Sequence, residues 1–253
     1  MNHKYNDVAL LLQGPIDKEK LAFSEYMPYY RILFSEIVLS TYTEYVNDEL
    51  IKYCSDFGIT LVHQPIDIGT LEKRYNIGYQ TMTVLAGLQQ VTKKYTLKHR
   101  TDERYFSLDK VVDKFLEDDR KWVSGSTVFG AKSYYPFHAA DHLFIAPTDK
   151  LRETFMRTKI GLEKDEMVRN VEGEPAPEIT FTMNYIRSWG EEPDIEKHDE
   201  QMLKYFNFVN DKHLYPFLIR FNTVNQVYTE IDQLRFNEFN DMNDILTRSG
   251  MSV

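Results

Sequence analysis

The stretch Tyr95–Phe106, YTLKHRTDERYF, enters on apolar Tyr95, Thr96 and Leu97 and then runs straight into Lys98, His99, Arg100, Thr101, Asp102, Glu103 and Arg104. Asp102 and Glu103 are hard oxygen donors. Mg²⁺ or Mn²⁺ takes one or two such carboxylates and completes its shell with substrate phosphates. Lys98 and Arg100 are cations suited to diphosphate oxygens, arginine bidentately. The competing reading of these residues is a solvated, charged turn.

Further groups of the same kind recur along the chain. Pro136–His142, PFHAADH, sets His138, Asp141 and His142 among aromatic and small residues. Asp141 could take a proton from a hydroxyl nucleophile, and either histidine could meet a phosphate or a metal. Arg74, Asn76 and Gln80 stand at or near the start of a helical pattern, where an anion or a sugar can be received. Gln13 and Gly14 mark a turn at the tip of an apolar run, where main chain can approach a ligand closely. Glu178 follows the breaker GEPAP, faces a helix dipole, and is a second candidate base.

These groups need a scaffold. Asp7–Gln13 (DVALLLQ) is a continuous apolar run, as in a strand buried on both faces of a parallel sheet. Glu19–Phe34 reads as a helix that Pro28 ends or kinks. Glu36–Thr41 reads as a strand, Asn47–Phe57 as a helix capped by Asn47 and stopped at Gly58, and Ile59–His63 as a third strand. A β-α-β-α-β start implies a parallel sheet with right-handed crossovers. Helix Asn76–Val91 leads into the strand Tyr95–His99. After it come a helix Ser107–Asp118 capped by Ser107, a strand Trp122–Val128, an aromatic loop Lys132–Ala140 and a strand Asp141–Ala146. Thr148 and Asp149 cap a helix through about Thr158, and Glu178–Ser188 is a last clear helix. Ligands of open α/β sheets sit outside the carboxyl ends of the strands, which is where Arg100–Glu103 must lie. Beyond about Asp194 the pattern weakens, and no repeat or firm domain boundary is visible.

The composition narrows the chemistry. The chain has 253 residues, 42% hydrophobic and 27% charged, with a formal net charge of -9. That balance speaks against a nucleic-acid binder, which presents a basic face. Cys54 is the single cysteine, so no internal disulfide forms, and a cytoplasmic setting is expected. No apolar run reaches the roughly 18 residues of a membrane span, and no signal-peptide pattern opens the chain. The glycine-rich phosphate loops of P-loop and dinucleotide-binding proteins are absent, as are GxSxG and HExxH. Phosphates would then be held by a metal and a few side chains.

Taken in order, the stretches LLLQGPI (Leu10–Ile16), VLSTY (Val38–Tyr42), NIGYQTMTVLAGL (Asn76–Leu88), LKHRTDE (Leu97–Glu103) and YPFHAADHLFIAP (Tyr135–Pro147) resemble the WavE family of lipopolysaccharide-synthesis proteins. The family usually has Arg-Ser-Asp at Arg100-Thr101-Asp102, and an arginine where Tyr79 precedes Gln80. The resemblance implies a GT-A-like, Rossmann-like α/β fold with a mostly parallel central sheet flanked by helices. Residues 1–190 would form the nucleotide-sugar-binding catalytic domain and 191–253 an irregular C-terminal extension packed on it. The implied activity is a glycosyltransferase, moving a sugar from a nucleotide-diphosphate sugar to a glycan or glycolipid acceptor with Mn²⁺ or Mg²⁺; the sequence leaves inverting and retaining courses both open, and the inverting one is expected. Asp102 would take the part of the metal-binding DxD motif. Thr41, Tyr42 and Asp67 would lie near the nucleoside and Asp141 near the acceptor, as the preferred base over Glu178. The enzyme would be cytoplasmic and peripheral to a membrane at most. A nucleotidyltransferase fits less well, because Gln13-Gly14-Pro15-Ile16 carries no cation. A non-catalytic glycan- or partner-binding module on the same fold is the reading from another class.

Overall fold

A computed structural model describes residues 3–16, 24–65, 76–105, 107–124, 136–164, 166, 176–209 and 217–218. The chain builds a seven-stranded sheet in the order β3-β2-β1-β4-β7-β6-β8. Its members are β1 (Tyr5–Gln13), β2 (Phe34–Tyr42), β3 (Thr60–Gln64), β4 (Tyr95–Arg100), β6 (Trp122–Ser124), β7 (Leu143–Pro147) and β8 (Phe206–Phe208). β1 pairs in parallel with both β2 and β4, and β2 with β3. β7 runs antiparallel to β4 and to β6, and β8 is parallel to β6. The result is the expected mostly parallel sheet, with β4 as its middle strand. A two-stranded pairing of β5 (Glu103–Arg104) with β9 (Phe217–Leu218) lies outside it.

The apolar run of β1 is buried on both faces, Val8 through Leu12 being at most 2% exposed. Alternate residues enter two cores. Ala9, Leu11, Val38, Phe144 and Ala146 face α3 (Ile77–Gln90), α5 (Thr148–Glu163) and α6 (Pro177–Ser188). Leu10, Leu12, Leu39, Leu97 and Ile145 face α1 (Met27–Leu33), α2 (Asp48–Asp56) and α4 (Leu108–Leu116). Helices on both faces are what a parallel sheet requires. α3 lies so close that a Cβ on Gly87 would come within 2.4 Å of Leu11 Cδ1. α7 (His198–Tyr205) then leads into β8, so the stretch past Asp194 supplies the far edge of the sheet.

Several local expectations change. Pro28 stands in the first turn of α1, where its missing N–H is harmless, and so starts the helix it was expected to end. Asn47 does cap α2, its Oδ1 accepting from Leu50 N at 2.8 Å. Ser107 gives α4 no side-chain cap. Thr148 opens α5 without capping it, because its hydroxyl donates to Lys93 O at 2.8 Å. Cys54 is buried, and burial raises its thiol to about 11, so it packs as an apolar group. Among the described residues no helix is long and apolar enough to cross a membrane.

Candidate active site

The strand ends and helix starts of one sheet edge meet here. β1 ends at Gln13, β2 at Tyr42 and β4 at Arg100; β7, running the other way, begins there with Asp141 and His142 just before it. The N-termini of α3 and α6 bring Gln80 and Glu178 to the same edge, since both interact with Asp141.

The floor is a network of main-chain and hydroxyl bonds. Thr101 N donates to Gln13 O at 3.0 Å and Thr101 Oγ1 to Pro15 O at 2.6 Å. Thr41 Oγ1 donates to Gly14 O at 2.8 Å, and Gln13 Nε2 to Thr83 Oγ1 at 2.7 Å. Gly14 has φ 132°, and a Cβ there would lie 2.9 Å from Thr101 Oγ1. The first turn and the Arg100–Asp102 corner are thereby one rigid unit. Thr101 was visible in the sequence only as the middle of the motif; its tie to the turn after β1 is a long-range contact.

The charged groups stack above this floor. Arg100 grips Asp102 bidentately, Nε to Oδ1 at 2.8 Å and Nη2 to Oδ2 at 2.6 Å, and also reaches Glu103 Oε1 at 3.3 Å. Burial works against the guanidinium charge, yet Asp102 and Glu103 outweigh it and raise its pKa. Glu103 is 1% exposed. Its carboxylate meets His142 Nδ1 at 2.6 Å and accepts from Tyr105 Oη at 2.7 Å. Burial alone would raise its pKa, but the His142 charge and hydrogen bond, with Arg100 and Tyr105, hold it well below the carboxylate range. Glu103 is thus an internal hub and not the open metal ligand expected of it.

Lys98, expected on a diphosphate, is also turned inward. It is fully buried on the α3/α6 side, and Nζ donates to Asp141 O at 2.6 Å and His142 O at 3.3 Å. Burial lowers its pKa to about 8 against the pull of Asp141. Tyr42, expected beside a nucleoside, is 4% exposed, with its ring against Tyr45 and Tyr79. Thr41 and Gln13 are buried as structural ties. Asn76 is exposed, with a left-handed φ of 60° and no capping bond. Asp67 and Arg74 lie outside the described residues.

The acidic and imidazole groups divide clearly. Asp141 is 4% exposed; burial opposes its charge, but His142, Lys98 and Arg100 outweigh it and lower its pKa. Glu178 keeps 29% of its side chain accessible in the first turn of α6. Burial, then the Asp141 charge, push its pKa up to about 7. His138 lies 3.9 Å from Glu178, and burial lowers it to about 4, so it is neutral and a poor phosphate contact. His142 lies among these groups yet keeps 37% of its side chain accessible. Burial lowers its pKa, and Glu103 with Asp141 more than restores it, for a net rise.

Whether a divalent ion fits depends on Asp102. Among the described residues no three His, Cys, Asp or Glu side chains gather as a metal cage. Asp102 stands at the end of the middle strand with 13% of its side chain accessible. It suits an ion that takes one protein carboxylate and completes its shell with phosphate oxygens, provided Arg100 releases it.

No protein-family model matches the chain, and no curated protein matches it. Solved structures match over much of its length. Glucosyl-3-phosphoglycerate synthase from Mycobacterium tuberculosis, in complex with Mn²⁺, UDP-glucose and phosphoglyceric acid, superposes with a TM-score of 0.45 at 11% identity, over 80% of this chain and 69% of that one. TarS from S. aureus gives 0.43 at 10% identity, over 71% of this chain and 33% of that one. HddC from Yersinia pseudotuberculosis gives 0.35 at 10% identity, over 57% and 78%. Likenesses this distant assign this chain neither a donor nor an acceptor.

Proposed function

We propose that the chain is a glycosyltransferase of the GT-A type, moving a sugar from a nucleotide-diphosphate sugar to a hydroxyl of a glycan or glycolipid, in the manner of the WavE proteins whose motifs it resembles. The observation that carries the reading is the pairing of an accessible, weakly acidic Glu178 with the Arg100–Asp102 corner on one edge of the sheet. Sugar transfer needs both: a base for the acceptor and a polar clamp for the leaving diphosphate.

Glu178 is the better base. A general base works best with a pKa near the working pH. Asp141 is buried, held as a firm carboxylate by Lys98 and His142, and suits the fixing of neighbouring groups. In the inverting course, Glu178 takes the acceptor hydroxyl proton as that oxygen bonds the anomeric carbon. The bond from that carbon to the phosphate oxygen breaks, and its electron pair leaves with the nucleoside diphosphate. Mn²⁺ or Mg²⁺, held by Asp102, would supply Lewis-acid neutralisation of that diphosphate when bound. Residues 1–190 would carry the reaction, with 191–253 as an appended part of the same domain. A cytoplasmic protein, peripheral to a membrane at most, is the setting this chemistry suits.

The test is thermal shift with UDP-, GDP- and CMP-sugars, with and without Mn²⁺, followed by assay of slow donor hydrolysis. A UDP- or GDP-sugar should stabilise the protein and be hydrolysed, CMP-sugars, with their single phosphate, should not, and Asp102→Ala should abolish hydrolysis. Stabilisation by none of them, or full hydrolysis in EDTA, would count against the nucleotide-sugar or the metal part of the reading respectively.

A further inference from the structure

The basic groups at the site differ in what already occupies their N–H bonds. Lys98 Nζ is directed onto two main-chain carbonyls and is sealed from solvent. Arg100 is clamped on Asp102 and leans on Glu103. His142 is held at one end only. Its Nδ1 lies 2.6 Å from the buried Glu103 carboxylate, which fixes the ring and places the Nδ1 proton. At the other end Nε2 makes no hydrogen bond among the described residues; its neighbour Asp141 Oδ1 stands off at 3.8 Å. The His142 side chain is 37% accessible.

We propose that His142 Nε2–H is an anion-binding donor at this sheet edge, oriented by Glu103, and that it hydrogen-bonds a phosphoryl oxygen of the donor diphosphate. The inference rests on the nucleotide-sugar reading and goes beyond it by naming the protein group that meets the phosphate. With Nδ1–H already given to Glu103, donation from Nε2 requires the doubly protonated ring. Carboxylates on both sides, Glu103 and Asp141, favour that cation. The local charges also permit an anion to enter. With Glu178 protonated, Lys98, Arg100 and His142 offset Asp102, Glu103 and Asp141; once ionised, Glu178, which interacts with Asp141 and His142, adds a fourth negative charge. A hydrogen bond from a fixed cation to phosphate is of the stronger kind, and it acts whether or not a metal is bound.

The probe is inorganic pyrophosphate, titrated calorimetrically into the full chain and into His142→Gln, in EDTA and in Mn²⁺. Orthophosphate and a nucleoside monophosphate serve as controls for single-phosphate binding. His142→Gln should weaken pyrophosphate by roughly tenfold to a hundredfold in both buffers, the range for a hydrogen bond to a charged group. Glu103→Gln should weaken it less, by loosening the ring. In the native protein, ¹⁵N spectra should show the His142 Nε2 resonance moving as pyrophosphate saturates, a readout that does not depend on a variant folding. Equal affinity in native and His142→Gln protein, or an unmoved His142 resonance at saturation, overturns the inference while leaving the nucleotide-sugar reading intact. Failure of the native protein to bind either pyrophosphate or any nucleotide sugar overturns both.

Discussion

Lys98 Nζ lies 2.6 Å from the main-chain oxygen of Asp141, deep on the α3/α6 side of the middle strand. A lysine side chain here is a staple, tying the start of antiparallel β7 to the end of β4. Removing it leaves the carbonyls of Asp141 and His142 without their donor and the buried Asp141 charge without a balancing cation. Lys98→Met should therefore lower unfolding stability by about 3 kcal/mol or more, measured by urea denaturation. Had Lys98 faced a phosphate, the same substitution would weaken donor binding and leave stability near native. A near-native urea midpoint would reject the staple.

Gly14 and Thr101 make a second, separable prediction. Gly14 has φ 132°, and a Cβ there would stand 2.9 Å from Thr101 Oγ1. Gly14→Ala should cost about 1–3 kcal/mol from the strained backbone, plus the steric conflict. Adding Thr101→Ala removes the conflict but also removes the bond from Thr101 Oγ1 to Pro15 O, so the double variant should recover only part of the loss. A double-mutant cycle by denaturant unfolding reads the coupling; strictly additive losses would mean the two residues do not meet.

The parallel half of the sheet was readable because local patterns dictate it. The unbroken run Val8–Leu12 needs burial on both faces, and Asn47 with Gly58 brackets a helix by capping chemistry that acts within a few residues. What the pattern could not carry was orientation and pairing. β7 is as apolar as β1, so nothing in LFIAP says that it runs antiparallel to β4. The same applies to the site. Residue types near Asp102 were informative, and Lys98, Arg100, Asp102, Glu103, Asp141, His142 and Glu178 do gather at one edge. Their individual duties depend on which partner each meets. Lys98 alternates onto the face that Asp141 and His142 cover, and Glu103 turns inward onto His142, a residue far along the chain. Such choices are made by tertiary contacts and leave no periodicity.

Glu178 provides the pH test. Its pKa is pushed up from the usual carboxylate value to about 7 by burial and by the Asp141 charge. As a base it must be ionised, so donor turnover with an acceptor should climb with pH through about 7 and level off above it. Stability should move oppositely. A carboxyl whose folded pKa lies above its unfolded value adds stability that is fully present below the unfolded value, near 4.3. That contribution is lost as pH rises through about 7, because over this window the folded chain holds the proton more tightly than the unfolded one. Glu178→Gln should flatten this part of the stability profile and reduce acceptor transfer by about 10²–10⁴-fold. It should not weaken pyrophosphate binding, because it removes a negative charge that interacts with His142 and Arg100 and leaves the contact assigned to His142 in place. Should Glu178→Gln keep native transfer rates while Asp141→Asn abolishes transfer without unfolding the protein, the base is Asp141 and the division of labour drawn between the two carboxylates is reversed.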